Sequence, residues 1–256
     1  MHIVVLLKAV PIVGTERLGP DQRVQRGQLE ANGNDEYVLE KALKLTEANG
    51  GEVSLLSMGP ASAIDALRKA LAMGATRAYH VQDEALAGSC IRGTVDVLVA
   101  ALRKIEFDLL FVGADTSDGL GGVVAPAVAA RLGLPYLSYA SEIRASGTGV
   151  SIDRLSPTGF DVQEAASPAV VMGTQLLGEP RYPSLRGIMQ ARTKETTTWS
   201  LADLGIDPAS VGEAGATTRF IGSETPPQRS GATVVKAPPD EAAAAIVDFL
   251  ATRRLI

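Results

Sequence analysis

Short apolar runs alternate with amphipathic helical patterns along the first half of the chain. The apolar runs predict buried β-strands at residues 3–7, 53–58, 77–81, 109–112 and 136–138. Apolar residues with the spacing of one helix face predict helices at residues 35–45, 61–73, 91–105 and 123–132. Strands that alternate with helices form a parallel sheet with helices on both faces, because the crossovers are right-handed. We therefore expect a three-layer α/β/α fold with a mainly parallel central sheet.

The pattern changes after residue 141. Alternating stretches at residues 150–155 and 160–162 predict a hairpin, and the apolar run at residues 169–172 follows it. The sheet is therefore expected to be mixed at one edge.

Beyond Gly178 the chain has the composition of loops, with a short helix predicted at residues 187–192 and a final helix at residues 240–253. Residues 204–239 show little periodicity, and so long an irregular stretch is unusual inside a compact domain. We expect a nucleotide-binding α/β domain over residues 1–203 and a C-terminal arm and helix over residues 204–256 that pack on a partner subunit. A flexible tail is the competing interpretation.

Charge and cysteine content narrow the classes of function. Lys and Arg number 24 and Asp and Glu 29, so the net charge is 24 − 29 = −5, which disfavours a nucleic acid partner. Cys90 is the single cysteine, which excludes an intramolecular disulfide and favours a reducing compartment. The apolar stretches are too short for a signal peptide core or a membrane span, so we expect a cytoplasmic protein without direct membrane insertion.

A glycine-rich segment, residues 113–122 (GADTSDGLGG), lies between the fourth predicted strand and the next helix. Ligands of parallel sheets bind outside the carboxyl ends of the strands, where this segment lies. Free backbone N–H groups in the first turn of that helix would attract a phosphate. These are expected to be the N–H groups of Gly121, Gly122, Val123 and Val124. The other interpretation is a simple bend that the glycines permit and that Asp118 caps.

Three further segments at strand ends are expected to line the same pocket as this turn. They are residues 6–8, residues 34–37, where Asn34 is expected to cap the following helix, and residues 57–59.

Residues for bond-making chemistry are not evident. His2 and His80 lie far in sequence from any nucleophile, and we interpret both as structural. Cys90 stands at a predicted helix start, where packing is the favoured role. We expect no catalytic residues and no metal site, which is typical of a protein that carries a cofactor.

Several stretches resemble the electron transfer flavoprotein beta subunit, and together they cover nearly the whole chain. The strongest, residues 178–192 (GEPRYPSLRGIMQAR), is similar to the dehydrogenase recognition loop of that family and the helix after it. Supporting matches follow the family's order at residues 6–11, Asn34 with its helix, 59–60, 68–75, 133–135, 168–171 and 226–231.

The resemblance implies an adenine nucleotide alpha hydrolase-like fold in a heterodimer whose alpha subunit holds most of one FAD, while this chain binds AMP. It implies electron transfer from acyl-CoA or related dehydrogenases to a quinone oxidoreductase and the respiratory chain. By position, the residues that correspond to the AMP pocket are Leu6, Lys8, Asn34, Asp35, Glu36, Tyr37, Met58, Gly113, Asp118, Gly119, Leu120, Gly121, Gly122, Val123 and Val124.

The resemblance also implies a docking loop. Leu185 matches the apolar anchor that enters a pocket on the dehydrogenase, and its burial would contribute roughly 1.5–3 kcal/mol. The expected partner-binding residues are Glu179, Pro180, Arg181, Tyr182 and Leu185. Arg181 and Arg186 either steer an acidic partner or are solvated.

The chain departs from the family pattern at three places. Ile12 stands where an Asp is usual, and Val123-Val124 replace a Gln-Thr or Gln-Val pair in the nucleotide turn. Leu155 replaces an acidic residue that engages the partner's flavin domain. Two alternatives stay open: a bifurcating homologue with a second FAD in place of AMP, and a stand-alone nucleotide-binding stress-type protein, which would not need the arm.

Overall fold

The structure, a computed structural model, describes residues 1–146, 148–222, 224, 227 and 231–256. The strands are β1 (His2–Leu6), β2 (Ala9–Pro11), β3 (Leu29–Ala31), β4 (Glu52–Met58), β5 (Arg77–Val81), β6 (Leu109–Gly113), β7 (Tyr136–Ser146), β8 (Gly149–Ser156), β9 (Gly159–Ala166), β10 (Ala169–Gly173) and β11 (Thr196–Trp199). The α-helices are α1 (Gly33–Asn49), α2 (Ile64–Met73), α3 (Ile91–Leu102), α4 (Val124–Leu132), α5 (Leu185–Ala191) and α6 (Pro239–Thr252). Most of the sequence resemblance at residues 226–231 lies outside the described residues.

Within the described residues, nine of these strands form one sheet in the order β11-β5-β4-β1-β6-β10-β7-β8-β9. Neighbours from β11 to β7 are parallel, and β8 and β9 add an antiparallel edge. The expected mainly parallel sheet with one mixed edge is confirmed. The chain proceeds from β1 to β4 and β5 on one side, and β6 lies on the other side of β1. The carboxyl ends of strands at such a switch point are where α/β folds bind ligands.

Helices cover both faces of the sheet, which confirms the three-layer architecture. One core layer lies beneath α1 and α2, and the other lies beneath α3 and α4. Successive side chains of β6 point to opposite faces of the sheet, so this strand contributes to both core layers. Phe111 packs in the layer beneath α1 and α2, and Leu110 packs in the layer beneath α3 and α4. Both side chains are fully buried, and burial of each contributes roughly 1.5–3 kcal/mol.

The start of α1 differs from the expectation. The helix begins at Gly33, with Asn32 at the N-cap position, so the prediction that Asn34 caps it is wrong. The Asn32 side chain makes no cap hydrogen bond, because it bonds to another segment described below.

The edge strand β11 has no strong sequence signal. Thr196–Trp199 is short and rich in threonine, and it pairs in parallel with β5 alone. The ring of Trp199 stacks on Tyr79 with 4.9 Å between ring centroids, which anchors the strand from one face.

The chain divides into two compact units, Met1–Ile221 and Gly222–Ile256. In the first unit, Val211 is almost fully buried in the core layer beneath α3 and α4. In the second unit, no residue of α6 is buried, and its exposed side chains include Ile246, Val247 and Phe249. Among the described residues, none of the helices has the length and hydrophobicity required to cross a bilayer.

Candidate functional site

Asp35, in the first turn of α1, lies at the carboxyl ends of β1 and β6. Its Oδ2 accepts the backbone N–H of Lys8 at 2.8 Å, and only 3% of the residue is exposed. Burial raises the pKa of the Asp35 carboxyl to about 7, and the hydrogen bond from Lys8 offsets that effect only in part. A Cβ on Gly113 would lie 2.3 Å from Asp35 Oδ1, so glycine is required there for β6 to approach α1 this closely.

Asn32 holds the glycine-rich turn through two hydrogen bonds. Its Nδ2 donates to the carbonyl of Asp115 at 2.8 Å, and its Oδ1 accepts the backbone N–H of Ser117 at 3.2 Å. Asn34 Nδ2 donates to the Asp115 carboxylate at 2.6 Å. The start of α1 therefore fixes the path of the turn that follows β6.

Asp118, in the same turn, is a buried counter-ion between two cations. Its side chain is 2% exposed and lies 2.7 Å from Lys8 Nζ and 2.5 Å from Arg26 Nη2. Burial opposes ionisation of Asp118, but the hydrogen bond and charge of Lys8, with help from Thr116 and Arg26, hold its pKa below the usual range. The formal charges of Lys8 and Arg26 balance those of the Asp118 and Asp115 carboxylates in the turn, so an anionic ligand would have to be held by backbone N–H groups.

Free backbone donors follow Asp118. Helix α4 begins at Val124 with Val123 as its N-cap, so the expectation that Gly121 and Gly122 belong to the first helical turn is wrong. Gly122 has φ +60°, which turns the chain into the helix. Over the described part of the chain, the N–H groups of residues 121–124 donate to no protein acceptor. Free N–H groups at the positive end of α4 together fit a phosphate.

The other predicted pocket residues differ in burial and in the contacts that they make. The side chain of Leu6 is buried in the core, and Met58 packs partly buried against the same core layer. Glu36 faces α2 instead, where its carboxylate pairs with Lys69 at 2.6 Å. Leu120 is 73% exposed and has a positive φ of +46°. Gly119 lies close to Lys8, since a Cβ added to this glycine would be 3.7 Å from Lys8 Nζ. Tyr37, on α1, is half-buried.

Arg26 and Asn32 are the site residues that no sequence motif singles out. Arg26 belongs to a polar loop, and Asn32 precedes the helix that Asn34 was expected to cap. Their partners lie 92 and 83–85 positions away in the sequence, so only the folded sheet brings them together.

The loop before α5 is fixed to α1 by Arg181. Its Nε lies 2.7 Å from Glu40 Oε2, and its Nη1 lies 2.5 Å from Glu47 Oε1. These hydrogen bonds raise the pKa of Arg181, first through Glu47 and then through Glu40, whose side chain is 4% exposed. Arg181 is thus an internal anchor of the loop.

Beyond this anchor the loop and the helix α5 present apolar side chains to solvent. Tyr182 is 96% exposed, Leu185 is 83% exposed and Met189 is 72% exposed. Gly187 allows α5 to lie directly against α2, since a Cβ there would lie 2.3 Å from the carbonyl oxygen of Ala72. A cavity of about 290 Å³ opens beside this contact, lined by Arg68, Lys69, Ala72, Pro183, Ile188, Ala191 and Arg192.

The histidines and the cysteine lie elsewhere in the fold. His80 is buried in β5, where Nε2 shares a hydrogen bond with the carbonyl of Gly59 at 3.1 Å, and burial lowers its pKa. His2 Nε2 shares one with Ser54 Oγ at 2.8 Å. The backbone N–H of Gly93 and the hydroxyl of Thr217 lower the pKa of the Cys90 thiol to about 6.

The molecule is a three-layer α/β/α protein with a glycine-rich turn at the switch point of its sheet. Comparison with known proteins defines the family, since residues 24–204 match the model described as the electron transfer flavoprotein domain. The chain is 36% identical to the electron transfer flavoprotein subunit beta of Megasphaera elsdenii, over 97% of this chain and 96% of that protein. It is 35% identical to the protein of the same description from Mycobacterium tuberculosis, over 100% and 99% of the two chains.

A third relative carries a different description. The caffeyl-CoA reductase-Etf complex subunit CarD of Acetobacterium woodii is 30% identical over the full length of both chains. The chain therefore belongs to the electron transfer flavoprotein family, and its relatives include beta subunits along its whole length.

Proposed function

We propose that the chain is the beta subunit of a heterodimeric electron transfer flavoprotein and that it binds AMP as a structural ligand. Its partner alpha subunit holds most of one FAD, which supplies the redox chemistry. The complex accepts electrons from acyl-CoA or related dehydrogenases and passes them to a quinone oxidoreductase and the respiratory chain.

The free N–H groups of residues 121–124 are the observation that carries the nucleotide proposal. They follow Asp118, the residue of the turn that pairs with Lys8 and Arg26. In this proposal the amides hold the phosphate of AMP at the positive end of α4. Val123 and Val124 contribute backbone N–H groups rather than side-chain hydrogen bonds, so their departure from the family's polar pair leaves the phosphate contacts in place.

Exposed apolar surfaces support the proposal of a partner subunit. On the antiparallel edge of the sheet, Leu155 lies opposite Phe160, and these side chains are 48% and 67% exposed. Val162, on the same strand as Phe160, is 65% exposed. The helix α6, within the second unit, also exposes apolar side chains. Apolar surface of this kind on a protein usually contacts another chain.

The docking loop supports the proposal of a dehydrogenase partner. Leu185 is exposed at the first position of α5, directly after the loop that Arg181 fixes in place. The backbone that presents this apolar side chain therefore has little conformational entropy left to lose on binding. The proposed contact set is Glu179, Pro180, Tyr182 and Leu185, with Arg181 as the anchor.

Co-expression with the alpha subunit encoded by the same organism tests the assignment. We expect the two chains to co-purify as a yellow 1:1 complex, while this chain alone carries little flavin. If the chain purifies without any affinity for the alpha subunit, the beta-subunit proposal is wrong, and a stand-alone nucleotide-binding protein becomes the better account.

A second candidate follows from the likeness to the Etf complex subunit CarD. In that candidate, a second FAD occupies the position proposed for AMP, as in a bifurcating complex. Both nucleotides place an adenosine and a phosphate at the same turn, so the count of FAD per heterodimer separates the two candidates.

A further inference from the structure

A long polar loop, residues 12–28, connects β2 to β3 and crosses the carboxyl edge of the sheet; we name it the strap. Arg26, in the strap, pairs with Asp118 after β6, and its carbonyl accepts a hydrogen bond from Ser62 after β4 at 3.4 Å. Arg23, also in the strap, pairs with Glu213 at 3.4 Å and lies against Gly88 after β5. Since β5, β4, β1 and β6 are consecutive in the sheet, the strap passes over the edge where the nucleotide is proposed to bind.

The two arginine contacts of the strap differ in strength. Asp118 is 2% exposed and receives Arg26 Nη2 at 2.5 Å, while Arg26 Nη1 donates to the carbonyl of Ala9 at 3.1 Å. Glu213, the partner of Arg23, has a side chain that is 77% exposed, so water and salt screen this pair. The Arg26 contact is therefore the firm attachment of the strap, and the Arg23 contact is the weak one.

We propose that Arg26 is a positioning residue of the nucleotide site: through Asp118 it latches the strap onto the phosphate turn and slows release of the nucleotide. This inference rests on the proposed nucleotide-binding function. Arg26 shares Asp118 with Lys8, which donates from Nζ to Asp118 Oδ1 and to Thr116 Oγ1. Loss of Arg26 therefore frees the strap and leaves the Lys8 contact in place. The net charge beside the turn falls at the same time, which weakens attraction for the phosphate.

The test measures nucleotide release from the complex with the alpha subunit. The complex is loaded with radiolabelled AMP, chased with excess unlabelled AMP, and followed for Arg26→Gln, Arg26→Lys and the wild type. Arg17→Gln is the matched control, because Arg17 lies in the same strap and is exposed, and among the described residues its side chain donates only to the neighbouring carbonyl of Glu16. Hydrogen exchange over residues 12–28 gives a readout that is independent of electron transfer.

We expect release roughly 10- to 100-fold faster in Arg26→Gln, since a charge-assisted hydrogen bond to a buried group is lost. Arg26→Lys keeps the charge but loses the planar fork of the guanidinium, so its rate of AMP release should lie between those of Arg26→Gln and the wild type. The control Arg17→Gln should release AMP at the wild-type rate. Exchange over the strap should rise in Arg26→Gln.

Unchanged release in Arg26→Gln with full AMP occupancy overturns this inference and leaves the proposed function standing. A wild-type complex that retains no adenine nucleotide overturns the AMP proposal itself. If Arg26→Gln does not fold, Arg26→Lys decides the matter, because a lysine cannot bridge Asp118 and the Ala9 carbonyl as the guanidinium does. Faster exchange over the strap together with release at the wild-type rate in that variant contradicts the latch.

Discussion

The side-chain oxygen of Asn32 accepts a hydrogen bond from the backbone N–H of Ser117 at 3.2 Å, which joins the start of α1 to the turn after β6. The amide of the same side chain donates to the carbonyl of Asp115. One buried residue thus satisfies two backbone groups of the turn, so the protein sets the shape of the turn itself. A site whose shape is set in this way spends little free energy on ordering when a ligand binds.

Replacement of Asn32 by alanine should loosen this turn. The N–H of Ser117 loses its partner, while the carbonyl of Asp115 keeps only the longer hydrogen bond from Asn34 Nδ2 at 3.4 Å. An unpaired buried polar group costs about 1–3 kcal/mol. We expect a lower urea midpoint and faster hydrogen exchange at the amide of Ser117. Asn34→Ala is the matched control, because Asn34 is only half-buried and its shorter hydrogen bond goes to the Asp115 side chain, at 2.6 Å against 3.4 Å to the carbonyl. Its effect should be smaller. Equal effects of the two variants would show that Asn32 does not hold the turn more firmly than Asn34 does.

A carboxylate at position 123 should compete with the nucleotide phosphate. Val123 precedes α4 and is 42% exposed, so neither Val123→Asp nor Val123→Asn removes core packing, and neither should lower the thermal midpoint. The aspartate adds a negative charge beside the free N–H groups, and we expect AMP affinity to fall roughly 10- to 100-fold. The neutral asparagine should cause a smaller loss. Calorimetric titration of AMP distinguishes the two, and equal affinities would show that no anion binds at this turn.

Truncation of the exposed Leu185 should impair docking without loss of stability. If its side chain enters a pocket on a dehydrogenase, Leu185→Ala removes a contact of roughly 1.5–3 kcal/mol and lowers kcat/KM for reduction by that dehydrogenase roughly 10- to 100-fold. Leu176→Ala is the control, since Leu176 is 51% exposed outside the proposed contact set. The thermal midpoint should be unchanged in both. An equal kcat/KM for the two variants would remove Leu185 from the docking surface.

Asp35 should make stability depend on pH. Burial raises its pKa from 3.8 to about 7, so the folded protein binds this proton more tightly than the unfolded chain does. The contribution of the protonated Asp35 to the free energy of unfolding is fully present below a pH of about 4, and it is lost as the pH rises through about 7. Asp35→Asn is neutral throughout, so the difference between wild type and variant in urea unfolding should change across this range. A difference that stays constant with pH would show that Asp35 is ionised in the folded state.

The sequence predicted the parallel strands and most helices well, because each carries its own local pattern. The apolar run that became β6 and the stripe that became α3 need no distant partner to be recognised. The edge strand β11 could not be foreseen in the same way, since its threonines are polar and its pairing partner lies more than a hundred positions earlier. Residue patterns also misplaced the cap of α1, because Asn34 and Asn32 both suit the start of a helix.

The candidate site was predictable only where a motif is continuous along the chain. The glycines of residues 113–122 and the exposed leucine of the docking loop belong to such motifs. Arg26, Asn32 and the pairing of Arg181 with Glu40 depend on contacts between distant segments. Arg181 shows the consequence, because a residue that local sequence would place on a charged docking surface holds the loop to α1 instead.

The identity of the nucleotide in the intact heterodimer tests the account most directly. Mass spectrometry of the small molecules released from the denatured complex should give one AMP and one FAD per heterodimer. Two FAD with no AMP would contradict the AMP assignment in favour of a second flavin at the turn. One FAD with no other adenine nucleotide would contradict the claim that the N–H groups of residues 121–124 hold a phosphate.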